Sequence, residues 1–449
     1  MSTAKRLSRR DFLRNASLTG LSLALAGCVV QAPAQVSTEA EVQDVGPSAD
    51  EPVTLRALWV SQTALVEYFE NYTQDTFSEA NNGSTVEFEL APVEEFPQKI
   101  LSGIASGNPP DIFRAVNVQN FAQFALNDVI LPLDELIAGD NYQAYLDTFI
   151  PGSLETFNIN GTQYGIPFGA HPSSQYLFYN KTAFDENGIT LDDRSWTWAE
   201  YAEVAKQMAD PENQVFGAWI RANFEGYMVG VRSMGGDLIS EDGTKSLVAS
   251  EEAWRFWQLV HDLINVDGVV PQPTDVDDWK PPFAASKIMM ANDNGYRESF
   301  LRELVEDFEF DTFLVPNEGD KPRGGLVADT TAIASASENS EVAWAWIKGI
   351  LETEQGIRRV QEARFIPLPT EAALLAPEAM VSPQYEFYVR QWIENPPLPA
   401  PTPANGRATE MFNTLQSGLE AAWLQTEPLE VVIERVDQEI QAILDKSQV

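Results

Sequence analysis

The sequence predicts an α/β fold in which a largely parallel sheet carries helices on both faces. Short strand patterns alternate with helical patterns along the chain, and this alternation is typical of βαβ units. The 449 residues are enough for two or three domains. Hydrophobic residues make up 44% of the chain and aromatic residues 10%, so each domain can bury a substantial core.

The first five predicted elements alternate in type. Residues 53–60 alternate between apolar and polar side chains and predict a strand, and residues 85–90 do so strictly. Apolar residues at helical spacing fall within 65–77 and 96–105. The short apolar run 111–115 predicts a buried strand. Ligands of parallel sheets bind outside the carboxyl ends of the strands, which draws attention to Trp59 to Ser61 and Arg114 to Asn117.

Later segments continue the pattern, with an aromatic strand after a turn and several amphipathic helices. The last predicted helix has a clear apolar stripe, and a run with five prolines in eight residues predicts a stiff, extended connection. The predicted strands are 163–168 and 175–181, the predicted helices are 197–208, 250–265, 340–353 and 429–446, and the Pro-rich connection is 396–403.

The N-terminus has the three parts of an export signal. A basic head precedes a short apolar run at 18–26, which is too short to remain in a membrane as a spanning helix. Residues 8–14 resemble the twin-arginine export motif, and residues 25–28 resemble a lipobox. We therefore expect residues 1–27 to be a twin-arginine signal peptide and Cys28 to become the lipid anchor.

Cys28 is the only cysteine in the chain, so the mature protein has neither a disulfide nor thiol chemistry. After it, residues 28–52 are rich in Ala, Pro, Gln, Ser, Glu and Val without an apolar period. Such a composition does not bury enough surface to fold, and it predicts a flexible tether between the bilayer and the domain.

The charge and the few histidines exclude several classes of function. The formal charge is −38, and removal of the basic signal would make it more negative. Nucleic acid is thus a poor partner, because its binding requires Lys and Arg at phosphates. The two histidines, His171 and His261, lie in no zinc or nucleophile motif, and no Gly-rich phosphate loop is present. We expect no metal, no cofactor and no catalytic residues.

Several short motifs occur in the order found in one large family. The most specific is Gly161 to Pro167 followed by Leu177 to Lys181, which is similar to "G-k-x-Y-g-l-P … l-x-Y-N-k". The chain departs from the pattern in three places: Ser195 stands where a proline is usual, Ser286 replaces a glycine, and Arg364 and Phe365 stand where a small residue is usual before the proline. The other motifs are 106–112, 127–134, 196–200, 286–290 with 295–296, and 324–325 with 341–346 and 364–367.

Through these motifs the chain resembles the extracellular solute-binding lipoproteins of ABC importers, in particular their sugar-binding, maltose-binding-protein-like branch. The resemblance implies a periplasmic-binding-protein fold of two α/β lobes, each with a mostly parallel sheet, joined by crossover strands that act as hinges. It places the crossovers near 168–169, 321–322 and 366–367. The N-terminal lobe would be 53–168 plus 322–366, and the C-terminal lobe 169–321 plus 367–449.

The resemblance also implies a function and partners. The protein would be a non-catalytic monomer that captures a carbohydrate in the interlobe cleft and delivers it to the permease subunits, held at the extracytoplasmic face of the cell membrane by its lipid anchor. A sugar site needs aromatic side chains that pack against the apolar face of the sugar and polar side chains that bond to its hydroxyls. Tyr179 and Asn180 match the family motif, but we expect them to stabilise the strand after the hinge. The expected ligand-binding residues are Trp59, Ser61, Asn117, Gln119, Trp219, Arg221, Asp237, Trp279, Asn292, Asp293, Tyr296, Gly325 and Arg364.

The proposed site residues, function and ligand each have an alternative. For the aromatic candidates, core packing or loop anchoring is the alternative to ligand contact, and for the polar candidates it is a surface or capping role. A secreted glycoside hydrolase would also combine Trp platforms with carboxylate pairs such as Asp192-Asp193 and Asp277-Asp278. The same fold could also bind a peptide, a polyamine or a glycerol phosphate ester.

Overall fold

The computed structural model describes residues 51–61, 63–92, 95–191, 196–319, 324–363 and 368–447. The predicted signal peptide, Cys28 and nearly all of the predicted tether therefore lie outside the described residues, as do Arg364 and the predicted crossovers at 321–322 and 366–367. None of the helices in the described ranges combines the length and the apolar character that a membrane span requires.

The strands fall into two main sheets and one short hairpin. Their bounds are β1 Thr54–Val60, β2 Thr85–Ala91, β3 Ile112–Val116, β4 Asn158–Ile159, β5 Thr162–Gln163, β6 Pro167–Pro172, β7 Tyr176–Asn180, β8 Met290–Asp293, β9 Phe310–Leu314, β10 Gly325–Ile333 and β11 Leu398–Pro399.

Helices cover both sheets, and the first of them continues through a π-helical turn, Thr73–Phe77, to Ser78–Ala80. The helices are α1 Thr63–Tyr72, α2 Phe96–Ser106, α3 Phe121–Leu126, α4 Asp134–Gly139, α5 Gln143–Leu146, α6 Lys181–Glu186, α7 Trp198–Met208, α8 Phe224–Ser233, α9 Glu251–Asn265, α10 Lys280–Ala284, α11 Glu298–Leu304, α12 Ser340–Ile350, α13 Thr353–Ala363, α14 Glu371–Leu374, α15 Pro383–Glu394, α16 Ala408–Trp423 and α17 Leu429–Leu444. Short 3₁₀ turns occur at Glu155–Phe157, Pro211–Asn213, Gly295–Arg297 and Pro377–Ala379.

The first sheet has the strand order β11-β10-β3-β1-β2, and β6 also pairs with β10. Strand β1 runs parallel to β2 and β3, whereas β10 runs antiparallel to both β3 and β6. The second sheet has the order β8-β7-β9, with both pairings antiparallel. We call the first sheet with its helices the first lobe, and the second sheet with α6 to α11, α16 and α17 the second lobe.

The α/β class predicted from the sequence is confirmed, but the first sheet is mixed and the second is antiparallel, whereas mostly parallel sheets were expected. Parallel ladders form where a helix carries the chain back to the same end of the sheet, as α1 does between β1 and β2. Strands β9 and β10 reach their neighbours from distant parts of the chain, in the opposite direction. The alternation of strand and helix patterns in the sequence does not indicate whether two paired strands run parallel or antiparallel.

Predicted helix starts agree with the structure where a cap is present. Thr197 and Glu200 form a reciprocal capping box at the start of α7, and the Ser250 side chain accepts a hydrogen bond from the backbone of Ala253 at the start of α9. The Pro-rich connection, in contrast, contains the two-residue strand β11, since Leu398 pairs with Gly325.

Each lobe has a large apolar core. In the first lobe, the Trp59 ring lies 5.1 Å from that of Phe69, 5.7 Å from Phe168 and 6.4 Å from Trp346, measured between centroids. In the second lobe, the apolar stripes of α8, α9, α16 and α17 pack together. These cores make each sheet a firm base for the side chains at its edges.

The chain first passes between the sheets at Ser173 to Gln175, because β6 continues to Pro172 as a partner of β10. This passage comes later than the 168–169 expected from the resemblance. The return lies between the end of β9 and the start of β10. Strand β11, which was expected in the C-terminal lobe, belongs to the first sheet.

The segment that leads to Trp219 requires a glycine. A Cβ atom on Gly217 would lie 1.7 Å from the carbonyl oxygen of Ala205, at the end of α7. We expect Gly217→Ala to lower the free energy of unfolding by about 1–3 kcal/mol, because backbone atoms cannot rotate away from the added methyl group. Thermal and urea unfolding followed by circular dichroism would measure it.

Gly139→Ala is the matched control, since a Cβ atom at Gly139 meets nothing within 4 Å. The melting temperature of that variant should equal that of the wild type or be slightly higher. Equal melting temperatures for the two variants would contradict the close approach at Gly217.

Candidate functional site

Charged and aromatic side chains from both lobes meet beside the first passage between the sheets. From the first lobe come Arg114 of β3, His171 of β6 and Asp329 of β10, and an Arg114 nitrogen lies 2.5 Å from an Asp329 carboxylate oxygen. From the second lobe, the Tyr296 ring lies 5.3 Å from the His171 ring, at an interplanar angle of 65°. The two lobes therefore contact each other through a polar cluster.

Burial controls the protonation of this cluster. Burial lowers the pKa of the His171 imidazole, although the nearby carboxylates of Glu225 and Asp329 act in the opposite direction. Burial also raises the pKa of the Asp329 carboxyl, against the influence of Arg114, and raises the pKa of the Tyr296 hydroxyl. Lowering the imidazole pKa favours neutral His171, which keeps both a donor and an acceptor nitrogen.

A cavity of about 400 Å³ opens in the second lobe next to this cluster. Trp219, Arg221, Trp279 and Asp293, all expected at a site from the sequence, line it together. Trp219 is half-buried, and its ring lies 6.0 Å from that of Trp279. Trp279 itself is only 2% exposed and stacks on Phe178, so it supports Trp219 rather than presenting a free face.

Asp293, at the end of β8, organises the wall of this cavity and is 2% exposed. One carboxylate oxygen accepts a hydrogen bond from the Trp279 indole at 2.8 Å and one from Arg297 at 3.2 Å. The other accepts from the Arg221 guanidinium and from the backbone of Asn294. The carboxylate therefore fixes two cations and one indole at once.

Arg221 is held by its neighbours on both sides. Its second guanidinium nitrogen lies 3.8 Å from Glu225, and its backbone N–H donates to the Asn292 side chain at 3.2 Å. Burial alone would lower the pKa of Arg221, but Glu225 and Asp293 raise it. Arg221 is thus a fixed cation whose charge is already balanced.

Two further candidates serve the backbone or the packing. The amide of Asn117 donates to Leu326 O at 3.0 Å and accepts from the backbone of Ala328 at 3.0 Å, which joins the end of β3 to β10. A Cβ on Gly325 would lie 2.4 Å from the Met228 sulfur, so this glycine permits β10 to lie against α8.

Trp59, which was expected to contact the ligand, does not lie at the candidate site. It is fully buried in the aromatic core of the first lobe, so its alternative role in core packing applies. The remaining first-lobe candidates are accessible: Ser61 is exposed and Gln119 is half-buried. Arg364 lies outside the described residues.

Asp237 lines a second cavity of about 800 Å³, at the other end of α8, together with Asn117 and the β11 segment. The Asp237 carboxylate lies 3.0 Å from Arg232, which is 3% exposed and also donates to Pro399 O. The ligand-binding residues predicted from the sequence therefore belong to two separate cavities.

Several residues at the lobe junction were absent from the predicted list: His171, Glu225, Asn294 and Asp329. Each looks isolated in the sequence, because its partners come from distant segments. The pairing of β6 with β10, which places Gly169 opposite Asp329, brings two of them together. Within the described ranges, no group of three or more His, Cys, Asp or Glu side chains is arranged to hold a metal ion.

Comparisons with known proteins find the same fold and a shared family pattern. The family model described as "Bacterial extracellular solute-binding protein" matches residues 59–357. A binding protein of Brucella abortus is 24% identical over 314 residues, which cover 68% of this chain and 74% of the relative.

Two solved structures are similar over most of the chain. An ABC substrate-binding protein of Listeria monocytogenes, in complex with cycloalternan, has a TM-score of 0.76 at 19% identity, covering 88% of this chain and 99% of that one. The maltose-bound MalE3 of T. maritima has a TM-score of 0.72 at 22% identity, covering 87% and 100%. These likenesses establish the two-lobed fold.

The hydrogen bonds around Asp293 generate a stability prediction. Asp293→Asn leaves the partly buried Arg221 and Arg297 with less opposite charge, and we expect a loss of about 3 kcal/mol in the free energy of unfolding. Asp278→Asn is the control, because the Asp278 side chain is 50% exposed and water screens its ion pair with Lys280, so this variant should change stability by less than about 0.5 kcal/mol. Chemical denaturation compares them, and equal losses would refute the special role of Asp293.

Proposed function

The chain belongs to the family of bacterial extracellular solute-binding proteins, and we propose that it captures a carbohydrate for an ABC importer. The ligand would lie at the lobe junction, between Trp219 and Arg221 on one side and His171 and Arg114 on the other. The proposal rests above all on the half-buried Trp219 ring beside the balanced Arg221–Asp293 pair in one cavity. An aromatic face and fixed polar groups are the two requirements of a sugar site.

The charge balance favours a neutral ligand over an anionic one. Arg114 is paired with Asp329, Arg221 with Asp293 and Glu225, and Arg297 with Asp293. A phosphate ester would have to compete with these carboxylates for each guanidinium. Sugar hydroxyls, which both donate and accept, can bond to the cations and the carboxylates together.

One buried donor at the junction lacks a partner. Arg114 Nε has no hydrogen-bond partner among the described residues, although its side chain is only 14% exposed. A buried donor without a partner costs about 1–3 kcal/mol, which a ligand hydroxyl would recover. The proposed site therefore includes this side chain of the first lobe.

Capture would proceed by closure of the lobes about the connecting segments. We assign the segment Ser173 to Gln175 to the first hinge and keep 321–322 and 366–367 as the other two. The lobe limits remain as the resemblance gave them, except that β11 joins the first sheet and β6 extends to Pro172. Catalysis is not part of this proposal, since the family consists of binding proteins. Turnover of an aryl-glycoside would instead support the hydrolase alternative.

Trp219→Ala tests the ligand proposal. We expect this variant to weaken carbohydrate binding at least about tenfold, because it removes the aromatic platform, while the melting temperature falls by only a few degrees. Intrinsic fluorescence titration with a panel of glucose, maltose, maltotriose and tagatose measures the affinity. The panel also contains glycerol 3-phosphate, a tripeptide and spermidine.

Gln207→Ala, on an exposed face of α7, is the control and should bind like the wild type. Unchanged affinity of Trp219→Ala for a sugar that binds would remove Trp219 from the site. Binding of only a non-sugar member of the panel would overturn the carbohydrate proposal.

We also propose that the protein is exported by the twin-arginine route and works as a lipid-anchored monomer next to the permease. Tethering through Cys28 would keep the protein at a high local concentration near its partner.

Replacing both Arg9 and Arg10 by Lys should block export, because the export machinery recognises the twin arginines. Fractionation followed by immunoblotting detects the result. Export that persists would indicate the general secretory route, and Lys5→Arg, which preserves the basic head, serves as the control.

A further inference from the structure

The first passage between the lobes contains a serine in a strained backbone conformation. Ser174 is fully buried, lies between β6 and β7, and has a φ of 45°, in the left-handed region that a residue with a Cβ atom rarely adopts. Such a conformation persists only where surrounding contacts hold it.

Contacts from both lobes hold this segment. On the first-lobe side, the Ser173 backbone and hydroxyl both donate to Gly325 O, at 3.0 and 2.9 Å. On the second-lobe side, the Ser174 backbone N–H donates to the Asn294 side-chain oxygen at 2.5 Å, and the Ser174 hydroxyl lies 3.3 Å from the same oxygen. The passage is therefore fixed to one sheet by Ser173 and to the other by Asn294.

The other half of the Asn294 amide points to the candidate site. Its nitrogen donates to the Glu225 carboxylate at 3.0 Å, and Glu225 lies 3.8 Å from the Arg221 guanidinium. Asn294 is 1% exposed. Because an amide has one accepting and one donating end, both bonds form only in this orientation of the side chain.

We propose that Asn294 is a positioning residue that couples the charge pair at Arg221 to the hinge conformation at Ser174. A ligand hydroxyl that bonds to both Arg221 and Glu225 takes up part of the charge of Glu225 and so weakens the hydrogen bond that Glu225 accepts from the Asn294 nitrogen. The Asn294 amide can then rotate, which weakens the hydrogen bond that its oxygen accepts from the Ser174 N–H. Without that hydrogen bond, Ser174 is free to leave its left-handed conformation. This coupling rests on the proposed function only in assigning the ligand to Arg221.

Coupling through Asn294 has a test that needs no ligand. The full chain with Cys28→Ser has no thiol, so Glu70→Cys in α1 and Gln207→Cys in α7 provide two exposed positions for spin labels, one in each lobe. Double electron–electron resonance then reports the interlobe distance distribution. The site is perturbed by Arg221→Gln, or by Glu225→Gln should the first variant fold poorly.

A double-mutant cycle isolates the contribution of Asn294. With Asn294 present, perturbing the Arg221–Glu225 pair should shift the mean interlobe distance. With Asn294→Ala, the starting distribution should broaden, and the further shift should fall by more than half. Asn294→Asp keeps the acceptor for Ser174 but places a buried carboxylate against Glu225, so it should broaden the starting distribution as Asn294→Ala does and lose the response.

Asn187→Ala, which removes an exposed side-chain bond at the end of α6, is the control and should leave both the distribution and the response unchanged. An equal shift in the presence and absence of Asn294, or no shift in either, would overturn the coupling. Failure of every sugar to bind would overturn the proposed function and leave this result intact.

Discussion

The buried carboxylate of Asp293 is the constraint on which the candidate site depends. A carboxylate that is almost fully removed from water is tolerated only when opposite charges and hydrogen bonds surround it. Here the donors come from the segment after Trp219, from the loop before α10 and from the turn at Tyr296. Satisfying one charge thus fixes three separate segments of the second lobe, and with them the cavity wall.

The alternation of strands and helices predicted the fold class, and the helix starts predicted at residues 197 and 250 coincide with the caps Thr197 and Ser250. These signals are local, since a cap and its partner lie within four residues. Trp59 and Trp219 show where local signals end. Both were expected to contact the ligand, yet Trp59 is surrounded by rings from α1, β6 and α12, whereas Trp219 borders a cavity. The rings that bury Trp59 come from segments up to about 290 residues away in the chain, so no window around either tryptophan distinguishes them.

For the polar candidates, the sequence indicated which side chains could bind a ligand but not which groups they bond to in the folded protein. Arg221, Asn292 and Asp293 were predicted separately and lie together, because β8 and the segment after Trp219 are neighbours. Asn117 and Asp237 were equally plausible, yet one bonds to backbone and the other to Arg232. His171 and Asp329 were missed because only the pairing of β6 with β10 brings them close. Strand pairing between distant segments, rather than residue type, determines which polar groups share a site.

The local charge balance of the site contrasts with the strongly acidic chain. A formal charge of −38 repels anions at a distance, but it does not decide what the cavity accepts, because salt screens exposed charges beyond about 8–10 Å. Inside the junction, each guanidinium faces a carboxylate of the protein itself. The lobes can therefore meet without a ligand and without leaving an arginine unpaired. A ligand must then improve on contacts that already exist, and neutral hydroxyls can do so by bridging the ion pairs rather than breaking them. On this view, specificity arises from the geometry of paired groups, and the same pairs transmit the presence of a ligand to the hinge.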